Sequence, residues 1–450
     1  MNRGRGKPRR TPDAPAAVGQ RIELALERLT HDGRGIGRWQ GRTVFVEGGL
    51  PGEQVTARVV RARSKLIEAR LERLLQASAE RREPACRHTE LCGGCSLQHM
   101  PRQTQLQIKQ QALAQQLQHF AGLQPQQWMP PLIGPEYGYR QRTRLSMRWD
   151  VQARRLVVGY RQRASSELVE VSQCPILTPV LESLLQELPE VLQQLEARAG
   201  LGHVELIGGA CPGMLVRHLQ PLPPADTQRL LALAARHDMA CYLQSDAESV
   251  SRISDGGGSP AYLLPDQQLE FRFAAGDFTQ VNAGINQQMV NQALAWLAVQ
   301  PGERVLDLFC GVGNFALPLA QAGALVTGVE GSAEMVERAT GNASLNGLEN
   351  VHFFQADLSN SLETDWLQAG FQAALLDPPR DGAAELVATL ARNGLQRILY
   401  VSCNPATLAR DAGILAAAGY RLVQLGIMDM FPQTAHVEAM ALFVSGKDKR

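Results

Sequence analysis

From residue 269 onward the sequence repeats one pattern, and that pattern limits the fold more than any other feature. Short apolar runs at 305–309, 325–329, 351–355, 373–376 and 397–401 are separated by stretches with helical spacing. Runs of this length, alternating with helices, form a doubly wound parallel sheet, an α/β architecture. Two more strand-like runs, 422–428 and 438–444, follow with no helix between them.

The first run leads into Asp307-Leu308-Phe309-Cys310-Gly311-Val312-Gly313-Asn314. Its glycines let the backbone pass close to a ligand at the carboxyl edge of the sheet. Such a turn by itself is equally suited to a nucleotide phosphate. Acidic residues at the next two strand ends argue for a ligand without one. Glu330 ends the second run, where it can hold ribose hydroxyls, and Asp357 follows the third, where it can face an adenine amine.

Ser402-Cys403-Asn404-Pro405 follows the fifth run, and His436-Val437-Glu438 opens the last. Pro405 favours the first turn of a helix through Ala406-Thr407-Leu408-Ala409-Arg410, which puts Cys403 just before a helix N-terminus. A cysteine there is expected to have a lowered pKa and an enlarged thiolate fraction. A strand-end cysteine also serves as a small buried hydrophobe, so its context has to decide. A thiolate nucleophile, a methyl donor and a base together are what methylation at C5 of a pyrimidine needs. Uracil C5 attacks a sulfonium methyl only after a nucleophile has added to C6, and the C5 proton must then be removed. Glu438 is the candidate base.

Upstream, residues 18–75 read as short strands broken by glycines, at 21–26, 33–37, 43–46, 54–60 and 65–71. That pattern suggests a small β-barrel. Residues 76–268 read as an α+β middle domain. Within it, 103–120 is a glutamine-rich helix, and Arg140, Arg142, Arg144 and Arg148 share one face of an expected strand over 139–149. With Arg161 and Arg163 across a hairpin, that face is either solvated or a track for RNA.

Cys86, Cys92 and Cys95 form a C-x5-C-x2-C run, and Cys174-Pro175 offers a fourth thiolate. Four cysteines suit tetrahedral zinc or a [4Fe-4S] cluster; the wide first gap and the terminal Cys-Pro favour iron-sulfur. Cys211, Cys241 and Cys310 have no partner at metal spacing and read as packing residues.

The Ser402–Pro405 and His436–Ala439 motifs resemble those of the RNA 5-methyluridine methyltransferase family, and the resemblance extends from about residue 20 to the C-terminus. It implies a class I methyltransferase domain at 269–450, with Cys403 as nucleophile and Glu438 as base. It further implies S-adenosylmethionine contacts from Gln280, Phe309, Asn314, Glu330, Asp357 and Asp377. The 33–37 run and the turn Gly48-Gly49-Leu50-Pro51-Gly52-Glu53 resemble the TRAM domain, an OB-like RNA-binding barrel. Family members with a ferredoxin-like cysteine set carry [4Fe-4S], which here implies Cys86, Cys92, Cys95 and Cys174 as ligands.

A barrel and a cluster together resemble the branch that methylates 23S ribosomal RNA. The branch that methylates transfer RNA typically lacks both. Radical iron-sulfur methylthiotransferases also carry TRAM-like barrels, but they need a C-x3-C-x2-C run. In amino-methylating relatives an aromatic follows the prolines of the turn Asp377-Pro378-Pro379-Arg380; Arg380 takes its place here.

The net charge of +1 excludes a globally basic RNA binder, so any RNA surface is local. One local excess is Arg3, Arg5, Lys7, Arg9 and Arg10, in an expected disordered tail at 1–17. With no apolar leader and no run of about eighteen apolar residues, the expectation is a cytoplasmic monomer that does not enter membranes.

Overall fold

A computed structural model describes residues 17–246, 249–359 and 370–446. All but the last residue of the expected tail at 1–17 lies outside the described residues. The chain forms two compact units, one of residues up to 83 together with 96–108, the other of 84–95 and 109 onward.

In the first unit, strands Arg21–Leu29, Gly35–Trp39, Arg42–Glu47, Gln54–Ala62 and Leu66–Gln76 close into a barrel. Period-two alternation is the cause: Ile22, Leu24 and Leu26 point inward from the first strand and meet Val44, Val46, Val55, Ala57, Val59, Ile67 and Ala69. Gly37 is required where the first two strands cross closely, since a Cβ there would lie 2.2 Å from the Ala25 carbonyl oxygen. Glu53 is wholly buried. Its carboxylate accepts from Arg81 Nε at 2.6 Å, Leu50 N at 2.8 Å and Ser78 N at 3.3 Å.

The second unit contains two large sheets. One runs Val250–Arg252, Ala240–Gln244, Gly213–His218, Leu201–Ile207, Arg142–Asp150, Arg155–Arg161, Leu168–Glu170 in spatial order. Helix Pro179–Gln193 buries Leu181, Leu184, Leu185, Leu188 and Leu192 in the same core as this sheet. The expected arginine face is present along Arg142–Asp150, but its charges are largely answered within the unit. Arg142 and Arg144 both grip Glu205, and Arg148 pairs with Glu167 at 2.6 Å.

The other sheet has eight strands in the order Val351–Gln355, Leu325–Glu330, Arg304–Leu308, Ala373–Leu376, Arg397–Ser402, Glu438–Ser445, Tyr420–Met428, Gln127–Trp128. The first five are parallel, and Glu438–Ser445 is antiparallel to both its neighbours. Ala373–Leu376 is buried at all four positions, as a strand covered on both faces must be. Among the parallel strands the chain runs outward from Arg304–Leu308 to Val351–Gln355 and then returns to the other side of Arg304–Leu308 at Ala373–Leu376, so a crevice opens between these two. The two-residue edge strand Gln127–Trp128 has no pattern that the sequence could have displayed. Among the described residues, no helix is long and apolar enough to cross a membrane.

Candidate active site

Five of the six parallel or closing strands of the large sheet deliver a residue singled out from sequence to one edge. Phe309 follows Arg304–Leu308, Glu330 ends Leu325–Glu330, Asp377 follows Ala373–Leu376, Cys403 follows Arg397–Ser402, and Glu438 opens the final strand. Asp357 stands two residues past Val351–Gln355 on the surface, where its Oδ1 accepts from Ser359 N at 2.9 Å. Gln280 lies half-buried in the loop before helix Ala283–Leu297.

The glycine turn is held by its own neighbours. Glu330 accepts from Gly311 N at 3.1 Å, Gly331 N at 2.7 Å and Ser332 N at 3.2 Å. The amides of Asn314 and Asn286 face each other reciprocally at 2.9 Å, and Tyr262 donates to the same Asn314 oxygen at 3.0 Å. Asn314 therefore fixes the turn's shape. Phe309 is only half-buried and has φ +61°, a left-handed conformation that an aromatic residue rarely adopts. It is thus not an ordinary core aromatic, and strain of this kind concentrates at ligand sites.

The nucleophile candidate is placed by the residues around it. Asn404 caps helix Pro405–Ala417, its Oδ1 accepting from Ala406 N at 3.1 Å, and Ser402 Oγ accepts from Asn404 N at 3.1 Å. Cys403 is a half-buried free thiol. Its pKa is raised rather than lowered, through burial first and then through the charges of Glu438 and Asp377, with Arg380 opposing them. Desolvation and two carboxylates act on the same sulfur, against the lowering expected from the helix terminus.

Those carboxyls are perturbed as well. Burial first, then Asp377, pushes Glu438 up to about 8, against the pull of Arg380 and Lys109. Burial alone pushes Asp377 up to about 7. Asp307 is completely buried, and burial, Asp377 and Glu330 drive it well above the usual carboxylate range. Asp307 was within a motif singled out from sequence but received no role there. A cluster of carboxyls that resists ionisation is an environment built to receive a cation.

The loop at 429–437 that leads into Glu438 is pinned from several sides. Lys109 Nζ donates to Asp429 Oδ1 at 2.8 Å and to Phe431 O at 3.0 Å, with both charged side chains buried. Tyr139 Oη donates to Pro432 O at 3.1 Å and Asn282 Nδ2 to Met430 O at 3.3 Å. No local signal marks Lys109, which sits in a glutamine-rich helix.

Cys86, Cys92, Cys95 and Cys174 are half-buried and form no disulfide. Burial, followed by the neighbouring thiols of Cys95, Cys86 and Cys92, pushes Cys174 up to about 12. The loop of the first three is held by Arg163, which donates to the carbonyls of Cys95 at 2.6 Å and Cys92 at 3.4 Å. Gly94 N donates to Cys92 Sγ at 3.4 Å. Among the described residues, no three His, Cys, Asp or Glu side chains converge closely enough to hold a single metal ion.

Residues 259–445 match the family profile described as tRNA (Uracil-5-)-methyltransferase, and residues 15–71 match the TRAM domain. The chain is 54% identical over 438 residues to the 23S rRNA (uracil(1939)-C(5))-methyltransferase RlmD of Pseudomonas putida, covering 97% of this chain and 96% of that protein. It is 53% identical over 430 residues to the enzyme of the same description from Pseudomonas aeruginosa, covering 95% of each. In structure it is similar to the Pyrococcus abyssi tRNA (uracil-54, C5)-methyltransferase solved with S-adenosyl-L-homocysteine. The TM-score is 0.70 at 24% identity, over 94% of this chain and 100% of that one, a likeness of fold.

Proposed function

This chain belongs to the RNA (uracil-5-)-methyltransferase family, alongside the 23S rRNA (uracil(1939)-C(5))-methyltransferases, and from that premise we propose that it methylates C5 of uracil 1939 in 23S rRNA. The enzyme is S-adenosylmethionine-dependent, and its fold is that of class I methyltransferases with an N-terminal TRAM barrel. The observation that carries the catalytic reading is a register. Ser402 pairs with Ala439, so Cys403 and Glu438 lie one residue further along their two strands, at the same edge.

In this reading the Cys403 thiolate adds to C6 of the uracil, forming an S–C6 bond and shifting the electrons of the C5–C6 double bond so that C5 becomes nucleophilic. S-adenosylmethionine, when bound, supplies an electrophilic methyl group on a sulfonium centre. Glu438 takes the proton from C5; the electrons of that C–H bond restore the double bond, and the sulfur of Cys403 leaves C6. Gln280, Phe309, Asn314, Glu330, Asp357 and Asp377 form the donor site. A positive charge bound beside Asp377 and Glu438 favours their ionised forms, which prepares Glu438 to act as a base.

Cys86, Cys92, Cys95 and Cys174 would hold a [4Fe-4S] cluster, the assignment that their spacing and the terminal Cys-Pro favour. The thiols of Cys86, Cys92 and Cys95 all act on Cys174, so the four stand in one neighbourhood, as ligands of a single cluster must. Four cysteine ligands would leave no iron open to a substrate, which disfavours radical chemistry. The proposed setting is the cytoplasm, with the protein acting as a monomer on ribosomal RNA through its barrel and the mouth of the catalytic sheet.

Mapping 5-methyluridine in RNA from a strain lacking the gene tests the target. Loss at position 1939 of 23S rRNA, restored by the wild-type protein and not by Cys403→Ala, is the expected result. Loss from transfer RNA instead would transfer the assignment to the other branch.

A further inference from the structure

Arg380 ends the turn Asp377-Pro378-Pro379-Arg380, and its backbone is tied to the helix that carries the nucleophile. Asn404 Nδ2 donates to the Arg380 carbonyl at 2.9 Å, and Thr407 Oγ1 donates to the same oxygen at 3.3 Å. Asn404 makes this bond with the amide that also caps the helix, so one side chain sets the positions of both Cys403 and Arg380. The turn has little freedom on its other side. Gly382 has φ +72°, and a Cβ there would lie 2.6 Å from Arg410 Nη2 and 2.7 Å from Asp411 Oδ2.

The side chain is placed differently from most guanidiniums of this unit. Arg142 and Arg144 hold Glu205, and Arg410 holds Asp411 at 2.8 Å. Arg380 is exposed, and among the described residues its side chain makes no ion pair or hydrogen bond. Its charge nevertheless reaches inward, acting on Cys403, Glu438 and His436. A cation whose backbone is held beside these groups and whose side chain is open to solvent stands at the rim of the site.

An extruded nucleotide sends its base inward and leaves its phosphate at the rim. We propose that Arg380 binds the phosphate of the target uridine, or the one next to it, and so anchors the extruded nucleotide over Cys403; this rests on the RNA-methylating reading above. The planar guanidinium can engage two phosphate oxygens at once, which a lysine at this place cannot.

Arg380→Gln and Arg380→Lys are compared with the wild type on a synthetic RNA hairpin containing the target uridine. In Arg380→Gln, KM for RNA should rise about tenfold or more, as expected for a lost charge-assisted bond. The slope of log kcat/KM against log salt should become shallower by about 0.7 to 0.9, the value for one lost phosphate contact. Arg380→Lys should keep the wild-type slope while regaining only part of the affinity. Melting temperature and S-adenosylmethionine binding should match the wild type in both.

An unchanged salt slope in Arg380→Gln overturns the assignment. So does slower turnover at saturating RNA with KM unchanged, which would show that Arg380 acts on the thiolate. Wild-type protein that methylates no uridine-containing RNA would remove the underlying functional reading, a failure distinct from either of these.

Discussion

Cys403 and Glu438 stand one residue beyond the antiparallel pair Ser402–Ala439, on adjacent strands of the same sheet edge. The chain closes 34 residues between them by folding its last hairpin back on the fifth parallel strand. The proposed nucleophile and base are thereby placed by the backbone hydrogen bonds of the adjoining strands, the stiffest element available to such a pair.

That arrangement separates the two halves of the reaction. In Glu438→Gln, addition and methyl transfer should proceed while proton removal from C5 stalls, so a covalent protein–RNA adduct should accumulate. Denaturing gels with labelled RNA should show the adduct in Glu438→Gln and none in the double variant with Cys403→Ala. Fast turnover of Glu438→Gln without adduct would exclude Glu438 as the base.

Acid–base linkage gives a second test. Glu438, pushed up to about 8, and Asp377, pushed up to about 7, retain protons in the folded protein that the unfolded chain has already released. Their stabilising effect is therefore complete below the ordinary carboxylate range and is lost as pH rises toward 8. In donor-free protein the urea midpoint should fall over that interval, and Glu438→Gln should reduce the fall. An identical pH dependence in wild type and variant would show that Glu438 titrates as an ordinary surface carboxylate.

Anaerobically purified protein should contain iron and acid-labile sulfide in equal amounts. Replacing Cys92 or Cys174 with serine should release both and lower the melting temperature. Stoichiometric zinc in place of iron would refute the cluster.

In the barrel, Glu53 is buried against Arg81 and two backbone N–H groups. Burial acts to raise its pKa, but the Arg81 and backbone hydrogen bonds outweigh it and hold the carboxyl below its usual value. Glu53→Gln removes the charge that answers Arg81 and should destabilise the barrel by about 3 kcal/mol. Amide hydrogen exchange in the barrel strands measures this directly. Wild-type protection in the variant would mean that the pair contributes little.

Much of the catalytic sheet could be read from the chain because its central strands are covered on both faces. Such strands must be apolar at consecutive positions, so 373–376, buried throughout, was legible to the residue. The barrel strands were legible for the opposite reason, since one face is buried and the sequence alternates. The arginines along Arg142–Asp150 show where this kind of reading ends. Their spacing gave the shared face correctly, but only the neighbouring strand, with Glu205, determines that two of them are neutralised.

Local sequence thus determined which residues are strands, where glycine turns open, and which chemical groups stand at strand ends, because backbone period and residue type are properties of adjacent positions. Tertiary structure decided what those groups feel. The edge strand Gln127–Trp128 exists only because Tyr420–Met428 offers it a partner, and Lys109 reaches Asp429 across 320 residues of chain. Likewise the helix N-terminus beside Cys403 promised a lowered pKa, and the fold raised it. Desolvation and Coulomb forces depend on distance in space, and no spacing along the chain encodes that distance.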